Sequence, residues 1–185
     1  KEKIYGSAAY VRFRLDTLDS LAYPTQGSLI TASIQKARVH AVSTSTLGDA
    51  QIQALRAFKY DDWSGHILGE WQRTQNGGKN SLGGFLHLSG TAKNSLQGEK
   101  TVFGRIVVNR KLGSLPSAVG GAIGLGFSAE LGAAYGAQQT LSIRNLKQAA
   151  SAHLTIDTRF GPLYFGTGTT RGEGSSMYLF LGPIW

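Results

Sequence analysis

The sequence predicts an all-β fold, an antiparallel sheet of about ten strands, and three observations predict it. Apolar and polar side chains alternate with a period of two, which is the pattern of a strand whose two faces meet different surroundings. Glycine occurs 25 times, and Gly124, Gly126 and Gly132 interrupt a stretch where each would cost a helix about 1 kcal/mol. Many alternating stretches are about 12 residues long, longer than the strands of most globular sheets.

The first predicted strand contains YGSAAYVRFRLD. The side chains of Val11, Phe13 and Leu15 share one face of this strand, and those of Arg12 and Arg14 share the other. The stretch therefore predicts a strand with one apolar face and one charged face.

The stretch AIGLGFSAELGAAY has the clearest alternation in the chain. Ile123, Leu125 and Phe127 share one face, whereas Ser128 and Glu130 share the other. A helix would scatter these polar residues around its circumference, so the pattern favours a strand.

The stretch AASAHLTIDTRF repeats the same division. Leu154 and Ile156 lie opposite His153, Asp157 and Arg159. The polar face again contains ionisable side chains, which indicates that this face meets water or other polar groups.

Turn-forming and polar residues divide the chain into ten such stretches within a single domain, residues 1–185. Some predicted connections are tight, as in YDDWSG and RFGPLY, and others are long and polar, as in TAKNSLQGEK. An even number of antiparallel strands would place both chain ends at the same end of the sheet. The predicted strands span roughly residues 4–16, 28–40, 50–61, 63–75, 83–90, 101–112, 120–136, 148–160, 162–171 and 175–185.

The alternation does not by itself say which face meets water. In a soluble sandwich the apolar faces pack together, whereas in a transmembrane barrel they face lipid and the polar faces line a lumen. Charged residues make up only 16% of the chain, below the proportion in typical soluble domains. Aromatic residues gather near predicted strand ends, as the two interfaces of a bilayer require. We therefore expect a transmembrane β-barrel, with a soluble all-β fold as the alternative.

Charged residues on the polar faces of the predicted strands would point into the lumen of such a barrel. There they would form pairs that hold its shape, and around an open pore they would set its ion preference. These residues are Arg12, Arg14, Glu70, Glu130, Asp157 and Arg159.

No stretch of the sequence predicts a catalytic or metal site. The nearest match to the Gly-x-Ser-x-Gly motif of lipases is GFSAE, at residues 126–130, but its last position is wrong and it lies mid-strand. His40, His66, His87 and His153 lack the spacing of metal ligands, and cysteine is absent. We expect this chain to have no enzyme activity, no cofactor and no metal.

The formal net charge of +8 suggests an anionic partner. The cations are scattered and no RNA-binding aromatic motif is present, so we expect no nucleic-acid partner. The loop cations are expected to meet lipopolysaccharide or other anionic headgroups instead. They are Lys79, Lys93, Lys100, Arg144 and Lys147.

Four parts of the sequence resemble the carboxy-terminal barrel of the bacterial surface-antigen superfamily, which includes outer-membrane assembly factors and two-partner-secretion transporters. They are DTLDSLAYPTQGSLI, LGGFLHLSG, FGRIVVNRKLGSLP with GGAIGLGFSAELG, and FGPLYFGTGTTRGEGSSMYLFLGPIW. The likeness is greatest to the barrel of patatin-like phospholipase autotransporters, which belong to type V secretion, subtype d. The residues that carry it include Asp16, Pro24 and Gly27 in the first hairpin, and Leu82, Gly83, Gly84, Ser89 and Gly90 in the second stretch.

The resemblance implies a translocator or anchor in the outer membrane of a Gram-negative bacterium, which exports or displays an amino-terminal patatin-like phospholipase passenger. It also implies insertion by the barrel-assembly machinery, with the last strand as the recognition signal. The signal residues would be Tyr178, Phe180, Gly182 and Trp185. The alternative functions are a soluble lipid- or carbohydrate-binding module and a small self-contained porin.

The barrel of this family has sixteen strands, of which this chain would supply the seventh to the sixteenth. We then expect the periplasmic POTRA module and the passenger to lie outside this chain. Ten strands closing alone and a homodimer of two copies are the alternatives for closing the barrel.

The chain departs from the family pattern at one place. Transporters of the family often carry a Val-Arg-Gly motif in a long loop that enters the lumen, whereas this chain has Leu88, Ser89 and Gly90. Because the arginine is missing, the resemblance does not by itself imply a loop held inside the lumen in the manner of the family, although the patatin-type members resemble this chain in the relaxed motif.

Overall fold

Long antiparallel strands make up most of the chain in a computed structural model, which describes residues 5–20, 24–40, 44–116 and 120–184. In chain order they are β1 (Tyr5–Asp16), β2 (Ser28–His40), β3 (Thr44–Tyr60), β4 (Trp63–Thr74), β5 (Asn80–Leu82), β6 (Leu96–Gly98), β7 (Lys100–Ser114), β8 (Gly120–Tyr135), β9 (Lys147–Thr158), β10 (Gly161–Thr170) and β11 (Gly174–Leu181), and one 3₁₀ turn spans Ile143–Asn145.

The predicted all-β antiparallel fold is confirmed. Nine strands form one sheet in the order β1-β2-β3-β4-β7-β8-β9-β10-β11, and β5 pairs with β6 in the connection between β4 and β7. Within the described residues, no helix is long and apolar enough to cross a membrane.

The predicted strand at residues 83–90 is wrong. Five of its residues have positive φ angles, which the extended conformation of a strand does not permit. The apolar residues of this stretch pack against the sheet instead of pairing within it. The residues with positive φ are Gly83, Gly84, Leu86, Leu88 and Gly90.

The loss of this strand leaves an odd number in the sheet, and that corrects a second expectation. Because β1 and β11 run in the same direction, the start of β1 and the end of β11 lie at opposite ends of the sheet. In the described part of the chain β1 and β11 do not pair, so the sheet is open. The strand β3 is also longer than predicted, because its pairing with β2 extends back to Thr44.

The two faces of the sheet have opposite polarity. One face, here called the covered face, carries Arg105, Glu130 and His153, each at most 5% exposed. The other, here called the apolar face, carries Phe127 and Leu154, each more than 40% exposed. Phe127 and Leu154 therefore point away from Glu130, which is shielded from solvent.

The buried side of the sheet is therefore not a simple apolar core. Among the described residues, thirteen buried residues are polar or charged and twelve are hydrophobic. Seven of the hydrophobic ones form a cluster between the sheet and the β4–β7 connection. The sheet contributes Leu29, Leu55, Leu68, Phe103 and Ala149, and the connection contributes Leu82 and Leu88.

The β1–β2 hairpin is held by a carboxylate that accepts hydrogen bonds. Asp19 accepts from the backbone N–H groups of Thr25 and Gln26, at 2.8 and 3.3 Å, and from the Thr25 hydroxyl. Burial raises the pKa of the Asp19 carboxyl, but these hydrogen bonds outweigh it and hold the pKa below its usual value. The carboxylate is thus ionised at neutral pH, where it holds the turn.

Gly27 at the end of this hairpin should not tolerate a side chain. Its φ angle is +97°, and a Cβ there would lie 2.1 Å from the carbonyl oxygen of Thr17. We expect Gly27→Ala to lower the free energy of unfolding by roughly 3 kcal/mol or more, measured by urea denaturation. The matched control is Gly77→Ala, because Gly77 has a φ of +84° but no atom within 4 Å of its Cβ position. It should cost only about 1–2 kcal/mol, and equal losses for the two variants would contradict the prediction.

Candidate functional site

The candidate site lies where residues 82–91, here called the covering segment, pack against the covered face. The segment belongs to the long connection between β4 and β7. Leu82, Leu86, Leu88 and Ser89 are fully buried. A stretch of irregular backbone that is buried in this way must find partners for its N–H and C=O groups.

Glu130 on β8 supplies the acceptors. One carboxylate oxygen accepts from the backbone N–H groups of Leu88 and Ser89, at 2.7 and 2.8 Å. The other oxygen accepts from the hydroxyls of Ser89 and Ser128. The Ser89 hydroxyl also accepts from the N–H of Leu86 at 2.8 Å. A single buried carboxylate thereby binds the turn of the covering segment through charge-assisted hydrogen bonds, which are stronger than neutral ones.

Arg105 on β7 supplies the matching donors. Its guanidinium donates to the carbonyl of Leu86 at 2.7 Å and to the carbonyl of Ile184 at 2.8 Å. Its Nε donates to Nε2 of His66 at 3.2 Å. Arg105 and Glu130 are direct partners across β7 and β8, so the two charges lie side by side on the sheet. Together they fix the covering segment and the residues that follow β11.

The carboxy-terminal strands β10 and β11 hold the other side of the covering segment. The Tyr178 hydroxyl accepts from the N–H of Gly90 at 2.8 Å. The Thr170 hydroxyl donates to the carbonyl of Ser89 at 2.8 Å, and the Thr91 hydroxyl donates to that of Thr170 at 2.9 Å. These contacts join residues that lie about eighty positions apart in the sequence.

An aromatic cluster fills the space beside these hydrogen bonds. The ring of Phe85 lies 5.5 Å from His153, 5.7 Å from Tyr164 and 5.2 Å from Tyr178, measured between centroids. These distances are those of favourable aromatic pairs. Neither ring nitrogen of His153 makes a hydrogen bond among the described residues.

Gly168 on β10 provides the room that the covering segment needs. A Cβ at Gly168 would lie 2.2 Å from the Cβ of Ser89. The absence of a side chain at Gly168 therefore allows Ser89 to pack directly against β10.

The serine hydroxyls of the covered face bond to a carboxylate and to one another. The hydroxyls of Ser89 and Ser128 donate to Glu130, and Ser128 also lies 2.7 Å from the Ser151 hydroxyl. The part of the chain that the structure describes contains no group of three acidic, histidine or cysteine residues placed to hold a metal ion. The observed contacts hold residues 82–91 against the sheet.

Two of the charged residues predicted on the polar faces contact the covering segment. Glu130 does so through its carboxylate, as described above. Glu70 on β4 lies 3.5 Å from Nε2 of His87, and it also accepts from the side chain of Gln72. His87 packs on Phe103, with 4.4 Å between the ring centroids.

Three others share the side of the sheet that carries Glu130 without contributing to the site. The register places Arg12 and Arg14 on that side of β1, where both are exposed at the sheet edge. Arg14 pairs with Asp16 at 2.7 Å instead of with a residue across the sheet. Asp157 lies on the same side of β9 and is half-buried.

Arg159 departs from its predicted place on a strand. The strand β9 ends at Thr158, whose hydroxyl donates to the carbonyl of Gly161 and accepts from the N–H of Phe160. These bonds close the β9–β10 turn, so Arg159 lies in the turn and is exposed.

The predicted signal residues of the last strand lie partly within the site. Tyr178 and Phe180 are on β11 and point to the covered face, since they pair with Gly166 and Tyr164. The N–H of Gly182 donates to the carbonyl of Pro162 at 2.9 Å, after β11 has ended. Trp185 lies outside the described residues.

The residues of the family resemblance occupy two places in the fold. Asp16, Pro24 and Gly27 lie in or beside the β1–β2 hairpin, where Pro24 is buried. The five others, Leu82, Gly83, Gly84, Ser89 and Gly90, all belong to the covering segment. No protein-family model matches the chain, and no curated protein matches it either.

Sequence reasoning missed Arg105 and Thr170. Both residues lie on the polar face of their strands. The charged residue in FGRIVVNR, which pairs with Glu130 on the next strand, could therefore have indicated Arg105. The role of Thr170 has no local signal, because its partner is almost eighty residues away.

Glu130→Gln should loosen the covering segment. The amide keeps the shape of the side chain but removes the charge that strengthens the bonds from Leu88 and Ser89. We expect hydrogen exchange at these two amides to accelerate at least tenfold. The control is Asp157→Asn, which removes a carboxylate on the same side of the sheet that does not share the hydrogen bonds of Leu88 and Ser89, so both amides should be unchanged. Unchanged protection in Glu130→Gln would contradict the assignment.

Proposed function

We propose that this chain forms part of a transmembrane β-barrel in the outer membrane of a Gram-negative bacterium, where the barrel anchors or exports an amino-terminal passenger domain. The observation that carries the proposal is the polarity of the sheet, whose apolar face is exposed and whose polar face is buried. A membrane barrel has this arrangement, and a soluble fold has the reverse.

The energetic argument follows from the exposed apolar side chains. Twenty-three large hydrophobic residues are exposed in the described part of the chain. Removing one such side chain from water is worth about 1.5–3 kcal/mol. In a soluble protein these side chains would stay in water and this stabilisation would be lost at each of them. In a membrane, lipid would cover them and provide it.

The aromatic residues support a spanning orientation. Trp63 and Trp71 lie on the apolar side of β4, separated by eight residue steps. That separation is about 27 Å along a strand, or about 21 Å at a tilt of about 40°. It approaches the apolar band of about 25 Å that aromatic residues flank in membrane barrels.

The covering segment supports a transport or anchoring barrel over an open porin. In a closed barrel the covered face would line the lumen, and the covering segment would occupy that lumen. The unpaired edges of β1 and β11 would be closed by further strands or by a second copy. An amino-terminal patatin-like phospholipase passenger remains what the resemblance implies.

Leu154→Arg separates the membrane proposal from the soluble alternative, because the two predict opposite signs. In lipid, an arginine near the middle of the apolar face costs about 2–4 kcal/mol, so folding into vesicles should weaken by that amount. In a soluble protein, replacing an exposed leucine should be neutral or should improve solubility. The measurement is urea unfolding in phosphatidylcholine vesicles, followed by heat-modifiable migration.

The control for this experiment is Phe160→Arg. Phe160 is exposed in the β9–β10 turn, where the cost near an interface falls to about 0–1 kcal/mol. Wild-type protein that stays soluble without detergent, or equal stability of Leu154→Arg and wild type in vesicles, would overturn the proposal.

Gly168→Ala tests the position of the covering segment in the pore. The added methyl group would clash with the Cβ of Ser89, so the covering segment should be displaced from the sheet. We expect the conductance of the full-length protein in planar bilayers to rise as a result. Gly69→Ala is the matched control, since no atom lies within 4 Å of its Cβ position. If the protein were an open porin, the wild type would already conduct. Equal conductance of Gly168→Ala and Gly69→Ala would contradict a covering segment in the lumen.

A further inference from the structure

We propose that the apolar face holds one anionic phospholipid, with an acyl chain in a groove across β4–β10 and the phosphate in an adjoining basic cavity. This inference rests on the proposed membrane location and goes beyond it, because it assigns a specific lipid site to named residues.

The groove runs across the apolar face along one row of paired residues. Ile67 pairs with Ile106, Ile106 with Ala129, Ala129 with Ala150, and Ala150 with Thr169. Because the side chains at 129 and 150 are small, the middle of this row lies lower than its neighbours, and the resulting groove has a volume of about 710 Å³. That volume falls within the 300–1,000 Å³ range of ligand clefts.

The basic cavity adjoins the groove at the end of the sheet that carries the β8–β9 and β10–β11 connections. Its volume is about 680 Å³, and Arg144, Lys147 and Arg171 line it. Gln148 and Arg171 line both the cavity and the groove. The apolar groove therefore continues directly into the basic cavity. This arrangement matches an anionic lipid, whose acyl chain is apolar and whose headgroup is negatively charged.

The charge of the cavity is available to a ligand. Lys147 is paired with Glu173 at 2.6 Å, and this pair joins the start of β9 to the β10–β11 connection. Among the described residues, the ion pairs do not include Arg144 or Arg171, and both are exposed. Arginine side chains bind phosphate oxygens in a forked geometry. Two such groups at the end of an apolar groove favour a lipid with a net negative headgroup over a zwitterionic one.

The backbone holds the two halves of the site together. The N–H of Arg171 donates to the carbonyl of Gln148 at 2.9 Å. The 3₁₀ turn at Ile143–Asn145 is capped by Ser142, whose hydroxyl accepts from the N–H of Arg144. The first bond thus fixes the backbone of Arg171 beside the start of β9, and the capped turn orders the backbone at Arg144.

The first experiment compares two double variants of the full-length protein in neutral detergent. Native mass spectrometry measures the binding of dioleoylphosphatidylglycerol and dioleoylphosphatidylcholine. Arg144→Gln with Arg171→Gln should lower the affinity for phosphatidylglycerol at least tenfold, since each cation beside an anionic headgroup contributes about fivefold. Binding of phosphatidylcholine should remain within about twofold.

The matched control is Lys79→Gln with Lys93→Gln. These two exposed cations lie in the connection between β4 and β7, outside the cavity, and the charge change is identical. This variant should keep its affinity for phosphatidylglycerol within about twofold. Equal losses in both double variants would show diffuse charge attraction and would overturn the site.

The second experiment fills the groove. Ala150→Leu should weaken the binding of both lipids, whereas Ala152→Leu, on the same face of β9 but outside the groove, should not. Equal effects of the two variants would overturn the groove. Wild-type protein that retains both lipids without preference would refute the anionic site alone. Wild-type protein that retains neither and needs no detergent would refute the membrane location itself.

Discussion

The carboxylate of Glu130 is the group on which the arrangement of the covered face depends. It is almost completely buried, and a buried carboxylate without hydrogen bonds is strongly unfavourable. Its two oxygens accept from two backbone N–H groups and two serine hydroxyls. The covering segment is therefore not merely laid on the sheet. It supplies the donors that make the burial of Glu130 possible, and Glu130 in turn satisfies a backbone that forms no strand.

This reciprocity extends to the end of the chain. Arg105, beside Glu130, donates to Leu86 of the covering segment and to Ile184, which follows β11. Tyr178 of β11 accepts from Gly90. The covering segment and the carboxy-terminal residues thus share a single set of polar partners on the sheet. A change that displaces either the covering segment or the carboxy-terminal residues would leave polar groups of the sheet without a hydrogen-bond partner, and this would weaken the bonds to the other.

Much of the sheet could be predicted from the sequence, because period-two alternation is a local signal. The stretches around Phe127 and Leu154 gave both the strands and the faces correctly. The same signal failed at residues 83–90, where Leu86 and Leu88 are apolar because they pack on the sheet, not because they alternate along a strand. The positive φ angles at Leu86 and Leu88 have no sequence signature, since leucine rarely adopts them.

The candidate site was harder to predict than the fold because its contacts are distant in sequence. Glu130 could be placed on the polar face by parity, but its partners Leu88 and Ser89 lie about forty positions earlier in the chain. Arg159 was misplaced because the side chain of Thr158 ends β9 two residues before the predicted end of the strand. A terminus of this kind depends on one hydroxyl, which alternation does not reveal.

The missing arginine of the covering segment has a structural explanation in the charges of the sheet. Residues 82–91 contribute only backbone groups and a serine hydroxyl to the bonds with Glu130 and Arg105. Both charges come from the sheet itself, on neighbouring strands at paired positions. A segment held by its own N–H and C=O groups needs no charged side chain, and adding one would bury a third charge beside two that already balance. The absence of arginine at Leu88, Ser89 and Gly90 is therefore compatible with a segment bound firmly to the sheet, because the cation that binds it is Arg105.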